Sequence, residues 1–208
     1  MLTVVVRPQG AAVSNCLVVL APGAEEIEYI TVCDVLVRAG VQVLAASAGE
    51  TPVVRGSRGL PLAAHTLLDL TLGQTFDAIY LPGGTTSAQH HRDDPRIQDL
   101  AEAQLRAGRL LAAMCAAPIA LVPRHLCAGR RLTCHPASRA VVEPAAAAWL
   151  DLAVVEDGNL ITAQAAGTAM ALALTLARLL VGPEVAVRVA RDMIIPDAVA
   201  VHATAAVS

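Results

Sequence analysis

Cys16-Leu-Val-Val-Leu-Ala-Pro-Gly-Ala-Glu-Glu-Ile-Glu28 opens on a continuous apolar run and closes on acids, and its two halves belong to different secondary structures. The run from Cys16 to Ala21 is uncharged and rich in branched side chains, as a strand covered on both faces must be, since a half-exposed strand would alternate. Pro22-Gly23 ends it. Glu25, Glu26 and Glu28 then start a helix, where solvated acids suit the dipole, and Ile27, Ile30, Val35 and Leu36 roughly keep helical spacing. Ala39-Gly40 closes the helix and Gln42 to Ala46 returns as a second apolar strand. Strand, helix and strand within about thirty residues make one β-α-β unit with a right-handed crossover, so the two strands are parallel.

The same alternation carries through the chain. Asp77-Ala-Ile-Tyr-Leu81 is a strand stopped by Pro82-Gly83-Gly84, Asp94 to Gly108 reads as a helix, Arg109-Leu-Leu-Ala-Ala113 as a strand, and a helix follows Cys115. Leu132, Val154-Val155 and Leu160-Ile-Thr162 are shorter strands, and Thr168 to Leu180, rich in alanine and leucine, is a helix. Between Gly49 and Leu70 the pattern breaks into short pieces around Gly56, Gly59 and Pro61, as a small hairpin insertion would. The fold class is therefore α/β, a mostly parallel sheet between helical layers. At 208 residues the chain suits one domain, set at 16–195, with an N-terminal extension over 1–15 and a C-terminal tail over 196–208.

Composition removes several functions. Hydrophobic residues make up 55% of the chain and charged ones 16%, enough for a large core and too apolar for disorder. Its 15 cations are all arginines, scattered without a basic run, and aromatics are 2%, so no specific nucleic acid partner is expected. Cys16, Cys33, Cys115, Cys127 and Cys134 are widely spaced with no CxxC pair, and read as reduced thiols of a cytoplasmic protein. The uncharged stretch Asn159 to Ala177 reaches membrane length, but Thr162, Gln164, Gly167, Thr168 and Thr175 interrupt it, and neither a membrane span nor a secretory leader is expected.

The chemistry concentrates in Leu110-Leu-Ala-Ala-Met-Cys-Ala-Ala-Pro-Ile-Ala-Leu-Val122. A strand runs straight into Cys115, small residues follow, and Pro118 suits the first turn of a helix, so the thiol sits at a strand-to-helix elbow. Such an elbow lies at the carboxyl edge of the sheet, where open α/β folds bind ligands; helix N–H groups there lower a thiol pKa and receive an oxyanion. A buried structural cysteine is the competing reading, because free cysteines are among the most buried residues. Glu28 leaves the first strand at the same edge, Gly83-Gly84 offers bare backbone N–H groups, and His135 follows a short strand as a candidate base. Each has a plainer alternative, as a surface acid, a turn and a structural histidine. Cys127 and Cys134 with His135 are three scattered ligands without a second motif, and neither a metal nor another cofactor is expected.

These motifs fall in one order. Leu17-Val-Val-Leu-Ala-Pro-Gly-Ala-Glu-Glu-Ile-Glu28, Leu36-Val-Arg38-Ala-Gly40, Ser57-Arg58-Gly59, Leu81-Pro-Gly-Gly84, Ala112-Ala-Met-Cys-Ala-Ala-Pro118 and Ala163-Gln164-Ala-Ala-Gly167-Thr168 together resemble the ThiJ/PfpI superfamily. The resemblance runs from about Cys16 to Arg191 and is strongest to the branch of the parkinsonism-associated protein deglycase and bacterial YajL. It implies a flavodoxin-like three-layer sandwich, usually a homodimer, with Cys115 as an oxidation-sensitive nucleophile and Glu28 as the acid hydrogen-bonded to it. The N–H groups of Gly84 and Ala116 are then the oxyanion site, and His135 an optional neighbour. Arg38 and Arg58 are candidates for the dimer interface.

The resemblance also implies glutathione-independent glyoxalase activity on methylglyoxal, or removal of early glycation adducts from side chains and nucleotides, with no cofactor. Its partners are small dicarbonyls or glycated side chains. The alternative is a non-enzymatic oxidative-stress sensor and holdase chaperone using the same cysteine. Two departures bear on this. Ala165-Ala166-Gly167 stands where the branch has Gly-Pro-Gly, beside the cysteine, and touches substrate preference. Ala116 stands where the superfamily's peptidases carry a histidine, and Leu160 to Thr168 lacks the His and Glu pair of class I amidotransferases, which disfavours peptidase and glutaminase.

Overall fold

Leu17 and Val19 pack on one side of β1 (Asn15–Leu20) and Cys16, Val18 and Leu20 on the other, and all five are fully buried. A strand sealed on both faces needs helices above and below it, and the sheet has them. The computed structural model describes residues 13–204, with side chains through residue 200, so most of the N-terminal extension lies outside the described residues.

After β1 the strands are β2 (Gln42–Ser47), β3 (Val53–Arg55), β4 (Pro61–Ala63), β5 (Thr66–Leu67), β6 (Ala78–Leu81), β7 (Leu110–Met114), β8 (Arg131–Leu132), β9 (Ala148–Trp149), β10 (Val154–Asp157) and β11 (Leu160–Ala163). The central sheet runs in the order β10-β11-β7-β6-β1-β2-β5. It is parallel except where β10 meets β11. β3 and β4 form the expected antiparallel hairpin, and β8 and β9 a short parallel ladder.

The helices are α1 (Glu26–Arg38), α2 (Thr85–Asp93), α3 (Pro95–Arg106), α4 (Arg139–Val142), α5 (Ala169–Val181), α6 (Pro183–Asp192) and α7 (Asp197–Thr204). α1, α5 and α6 cover the face of Cys16 and Val18, while α3 and α4 cover the face of Leu17 and Val19. This is the flavodoxin-like three-layer sandwich. α7 falls in the stretch read as a tail and packs on α5 and α6. Among the described residues no helix is long and apolar enough to cross a membrane.

Two local expectations are corrected and one helix is added. Ile27 and Ile30 are 56% and 53% exposed, whereas Glu26, Glu28, Tyr29, Val32, Val35 and Leu36 are buried, so α1 is seated with two carboxylates inward. α2 occupies a stretch where the sequence shows no helical stripe, because two of its three buried residues, Ser87 and His91, are polar. The helix expected after Cys115 is only a 3-10 turn, Ala117–Leu121. Pro123 limits it, since proline lacks the N–H that would extend the helix and clashes with the carbonyl four residues back.

β1 leads through α1 to β2 on one side, and β6 leads through α2 and α3 to β7 on the other. The pairing of β1 with β6 ends at Val18 and Tyr80. Chains that leave neighbouring strands in opposite directions open a crevice at the carboxyl edge of the sheet.

Candidate active site

Cys115 is the residue after β7 and holds a left-handed backbone with φ 59°. That conformation costs a non-glycine residue roughly 1–2 kcal/mol and persists only where neighbours enforce it. Here the Cys115 N–H donates to the Ala163 carbonyl at 2.9 Å, and the Cys115 carbonyl accepts the His135 N–H at 2.8 Å. The thiol is thereby turned out of the sheet at its carboxyl edge, and it is half-buried.

Two glycines bring the backbone against it. A Cβ on Gly83 would stand 2.5 Å from the Cys115 Cβ and 2.6 Å from Glu28 Oε2. Gly84 has φ 94°, and a Cβ there would meet the Gly23 carbonyl at 2.2 Å. Glu28 is fully buried, its Oε2 accepts the Gly83 N–H at 2.7 Å, and its Oε1 has no partner at hydrogen-bond distance. The Cys115 thiol lies near enough to the carboxyl for each to shift the other, and the backbone N–H groups of Gly84 and Ala116 favour the thiolate. The structure therefore brings together Cys115, Glu28, Gly84 and Ala116.

Burial pushes the Glu28 carboxyl up to about 7, opposed by the Cys115 thiol and the Gly83 N–H, which favour its anion. Burial, then the negative charge of Glu28 and the hydrogen bond to it, push the Cys115 thiol up to about 12, opposed by the Gly84 and Ala116 N–H groups. The lowered thiol expected from the sequence thus fails while Glu28 is ionised. Once that carboxyl carries the proton its charge contribution vanishes and its hydrogen-bond contribution reverses, since a neutral acid brings no charge and donates to sulfur. Burial also raises Cys33 and Cys127 to about 12 and Cys134 to about 11, and Cys16 higher still. What sets Cys115 apart is its donors and its access.

A cavity of about 390 Å³ opens over the thiol, lined among others by Gly84, Cys115, Ala116, His135, Ser57 and Arg58. His135 Nδ1 accepts the Ala137 N–H at 3.1 Å, which leaves Nε2 to carry the proton of the neutral ring and removes Nδ1 as a base. Arg38 pairs with Asp34 on the surface of α1 at 2.8 Å, while Arg58 belongs to the cavity wall.

The acids at the start of α1 depart from the solvated pair expected. Glu25 caps the helix, accepting the Glu28 N–H at 2.9 Å. Glu26 is only 7% exposed. The one sequence signal for this is Gly56, where a Cβ would lie 2.4 Å from Glu26 Oε1. Cys127 and Cys134 are buried in the second core, and no group of three metal-ligating side chains is placed to hold an ion among the described residues.

An open α/β sandwich that presents a thiol at a left-handed elbow, against a buried carboxyl, defines a protein of the cysteine-elbow class. The chain belongs to the DJ-1/PfpI family, which it matches over residues 14–179. It is 36% identical over 181 residues to Protein dj-1beta of Drosophila melanogaster, covering 87% of this chain and 97% of that one. The crystal structure of Drosophila melanogaster DJ-1beta superposes with a TM-score of 0.86 at 35% identity, covering 89% of this chain and 100% of that one. Glutathione-independent glyoxalase DJR-1.2 of Caenorhabditis elegans is 36% identical over 175 residues, covering 84% of this chain and 92% of that one.

Proposed function

We propose that the chain is a glutathione-independent, cysteine-dependent glyoxalase or deglycase acting on methylglyoxal-type dicarbonyls and their early adducts. The observation that carries this reading is the fully buried Glu28 carboxyl at the elbow: Oε2 accepts the Gly83 N–H, Oε1 has no hydrogen-bond partner, and burial lifts the group to about 7 beside the Cys115 thiol. That is the arrangement of a carboxylic acid whose hydroxyl serves the sulfur. The name of the nematode relative, a glutathione-independent glyoxalase, supports it.

In the reactive form the pair keeps one proton, on Glu28, and the Cys115 thiolate faces the Gly84 and Ala116 N–H groups. Sulfur attacks the aldehyde carbon, a C–S bond forms, and the carbonyl π pair moves onto oxygen, which those N–H groups receive. Glu28 gives this oxygen its proton, making a hemithioacetal. The Glu28 carboxylate then removes the hydrogen of the same carbon, and the freed pair forms a C=C bond as the neighbouring ketone becomes an enolate. Return of the proton to that neighbouring carbon, with the hydroxyl proton of the sulfur-bearing carbon passing to the enolate oxygen as its C=O bond forms, leaves a thioester of a 2-hydroxy acid. Water releases the acid and restores the thiol, so the sum is α-oxoaldehyde plus water to 2-hydroxy acid, with no external oxidant or reductant.

The same acid favours a second reading, the redox sensor and holdase, because it can donate to an oxygen added to the sulfur. A glutathione-free methylglyoxal assay of the purified protein, run beside the mass of peroxide-treated protein, separates the two. Turnover that vanishes in Cys115→Ser supports the enzyme. No turnover, with two oxygens gained at Cys115, supports the sensor.

A further inference from the structure

We propose that Glu26 is a positioning residue for this site, because its buried carboxylate pins the hairpin turn at 57–60 as a wall of the Cys115 cavity. Glu26 Oε1 accepts the Arg58 N–H at 2.7 Å and the Leu60 N–H at 3.4 Å, and Oε2 accepts the Ser57 hydroxyl at 3.0 Å. Two backbone bonds run beside it: the Ser57 N–H donates to the Ala24 carbonyl and the Gly23 N–H to the Arg55 carbonyl, both at 2.8 Å. Gly56 lies so close that a Cβ would stand 2.4 Å from Oε1.

These bonds matter because the hairpin cannot place itself. β3 and β4 have three residues each and pair only with each other. A two-stranded hairpin alone is marginal in water, so this one is placed by its anchors: Val54 and Leu62, buried in the first core, and the Tyr29 hydroxyl, which donates to the Ala63 carbonyl at 2.7 Å, seat the strands, while Glu26 seats the turn that faces the thiol. Ser57 and Arg58 line the cavity, and Glu26 holds both. Two residues on along α1, Glu28 engages Cys115. One helix start thus sets the distance between the nucleophile and the wall opposite. Burial alone would raise the Glu26 carboxyl, but the Arg58, Ser57 and Leu60 donors outweigh it and hold the group below its usual range, so the anchor is anionic at neutral pH.

The inference leans on the proposed reaction for one readout only. In Glu26→Ala the KM for methylglyoxal should rise about tenfold with kcat within about twofold, the pattern of lost ground-state and transition-state contacts alike. Glu26→Gln keeps an acceptor for Arg58 and Leu60 and should stay within about threefold of wild type. Independently of turnover, a bulky maleimide should alkylate Cys115 about tenfold faster in Glu26→Ala, while iodoacetamide changes by less than about twofold, because only the larger reagent feels an opened wall. Gly56→Ala, which drives a methyl group into Oε1, should open the same wall and serves if the alanine variant at 26 does not fold. Cys16, Cys127 and Cys134, fully buried, report on the core and should stay unlabelled. An unchanged ratio of maleimide to iodoacetamide rates, labelling of the buried cysteines in step with Cys115, or a glutamine variant no better than alanine would overturn the proposal. Absence of methylglyoxal turnover in the wild type would sink the proposed reaction and leave the alkylation ratio to decide the role of Glu26.

Discussion

Glu28 Oε2 accepts the Gly83 N–H at 2.7 Å, and this bond leaves Oε1 as the oxygen without a hydrogen-bond partner. Because Oε2 already accepts a backbone N–H, the acid form favours its hydroxyl on the unpartnered Oε1. The acid is aimed by the turn after β6 and not by its own helix.

Changing the two glycines of that turn should therefore have different effects. In Gly83→Ala the new methyl presses on Glu28 Oε2 and the Cys115 Cβ, at 2.6 and 2.5 Å, and separates acid from thiol. A displacement of about 1 Å in a catalytic pair costs on the order of 10²-fold in rate. In Gly84→Ala the methyl meets the Gly23 carbonyl at 2.2 Å from a φ of 94°, so both the contact and the conformation are refused. Thermal melts beside methylglyoxal assays should show the larger stability loss in Gly84→Ala. The reverse order would mean that the turn is not fixed as described.

Stability should fall with rising pH through Glu28. Its folded pKa is about 7 against an ordinary 4.5, so the folded state holds the proton more tightly than the unfolded chain does. The contribution is full below about pH 4.5 and is lost as pH rises through about 7. At about 1.4 kcal/mol per unit this is of order 3 kcal/mol. Glu28→Gln carries no charge at any pH, so its stability relative to wild type should climb by a few kcal/mol between about pH 5 and pH 8. Urea unfolding of both proteins at the two pH values checks it, and a constant difference would rule it out.

Much of this architecture is legible in the residues, and the reason is physical. β1, β6 and β7 are covered on both faces and so appear in the sequence as unbroken apolar runs. What stays hidden is the seat of α1. A carboxylate reads as surface, yet Arg58 and Gly83 bring N–H groups to Glu26 and Glu28 from 32 and 55 residues away in the chain. Only the folded backbone supplies the partners that make those acids buried. α2 is hidden for a similar reason, since its His91 ring is buried against the Val19 carbonyl at 3.2 Å, where periodicity looks for an apolar side chain. The elbow cysteine is legible from its strand and its small neighbours; its companion acid is placed at the same edge by the strand it follows, but is told apart from a surface acid only through the order of motifs.

Cys115 should be the first thiol alkylated. Cys16, Cys127 and Cys134 are fully buried, and Cys33, half-buried on α1, has its thiol pushed up to about 12 by burial and then by Asp34. Cys115 alone faces a cavity and two backbone donors. Iodoacetamide treatment near pH 6 followed by peptide mapping should find it modified ahead of the others. Earlier modification of Cys33, Cys127 or Cys134 would remove the case for a nucleophile at the elbow.

A homodimer is the expected solution state, and α1 with the hairpin is the surface to test. Ile27 and Ile30 are 56% and 53% exposed, and Val53 and Leu60 are 53% and 58% exposed. Large apolar side chains gathered on one helix and one hairpin are what a self-complementary interface would cover. Sedimentation should give a dimer for the wild type and a monomer for Ile30→Asp. A wild-type monomer at micromolar concentration would reject the dimer, and a dimeric Ile30→Asp would move it to another face.

Glu28→Gln and Cys115→Ser together distinguish the enzyme from the sensor. A glutamine at 28 can accept the Gly83 N–H with its carbonyl oxygen and present its amide hydrogens to the sulfur, but it cannot give up and take back a proton. Loss of a general acid and base costs on the order of 10²- to 10⁴-fold, so methylglyoxal turnover should collapse, as it should without the thiol. Peroxide oxidation of Cys115 behaves differently, because an amide can still donate to oxygen on sulfur: it should survive Glu28→Gln and disappear in Cys115→Ser. Glu25→Gln keeps an oxygen for the Glu28 N–H at the start of α1, so its turnover should fall by far less. Full turnover in Glu28→Gln alongside loss in Glu25→Gln would assign the proton to the capping residue. Full turnover in both would leave the thiol and the N–H groups of Gly84 and Ala116 as the catalytic apparatus, with no carboxylate in the proton path.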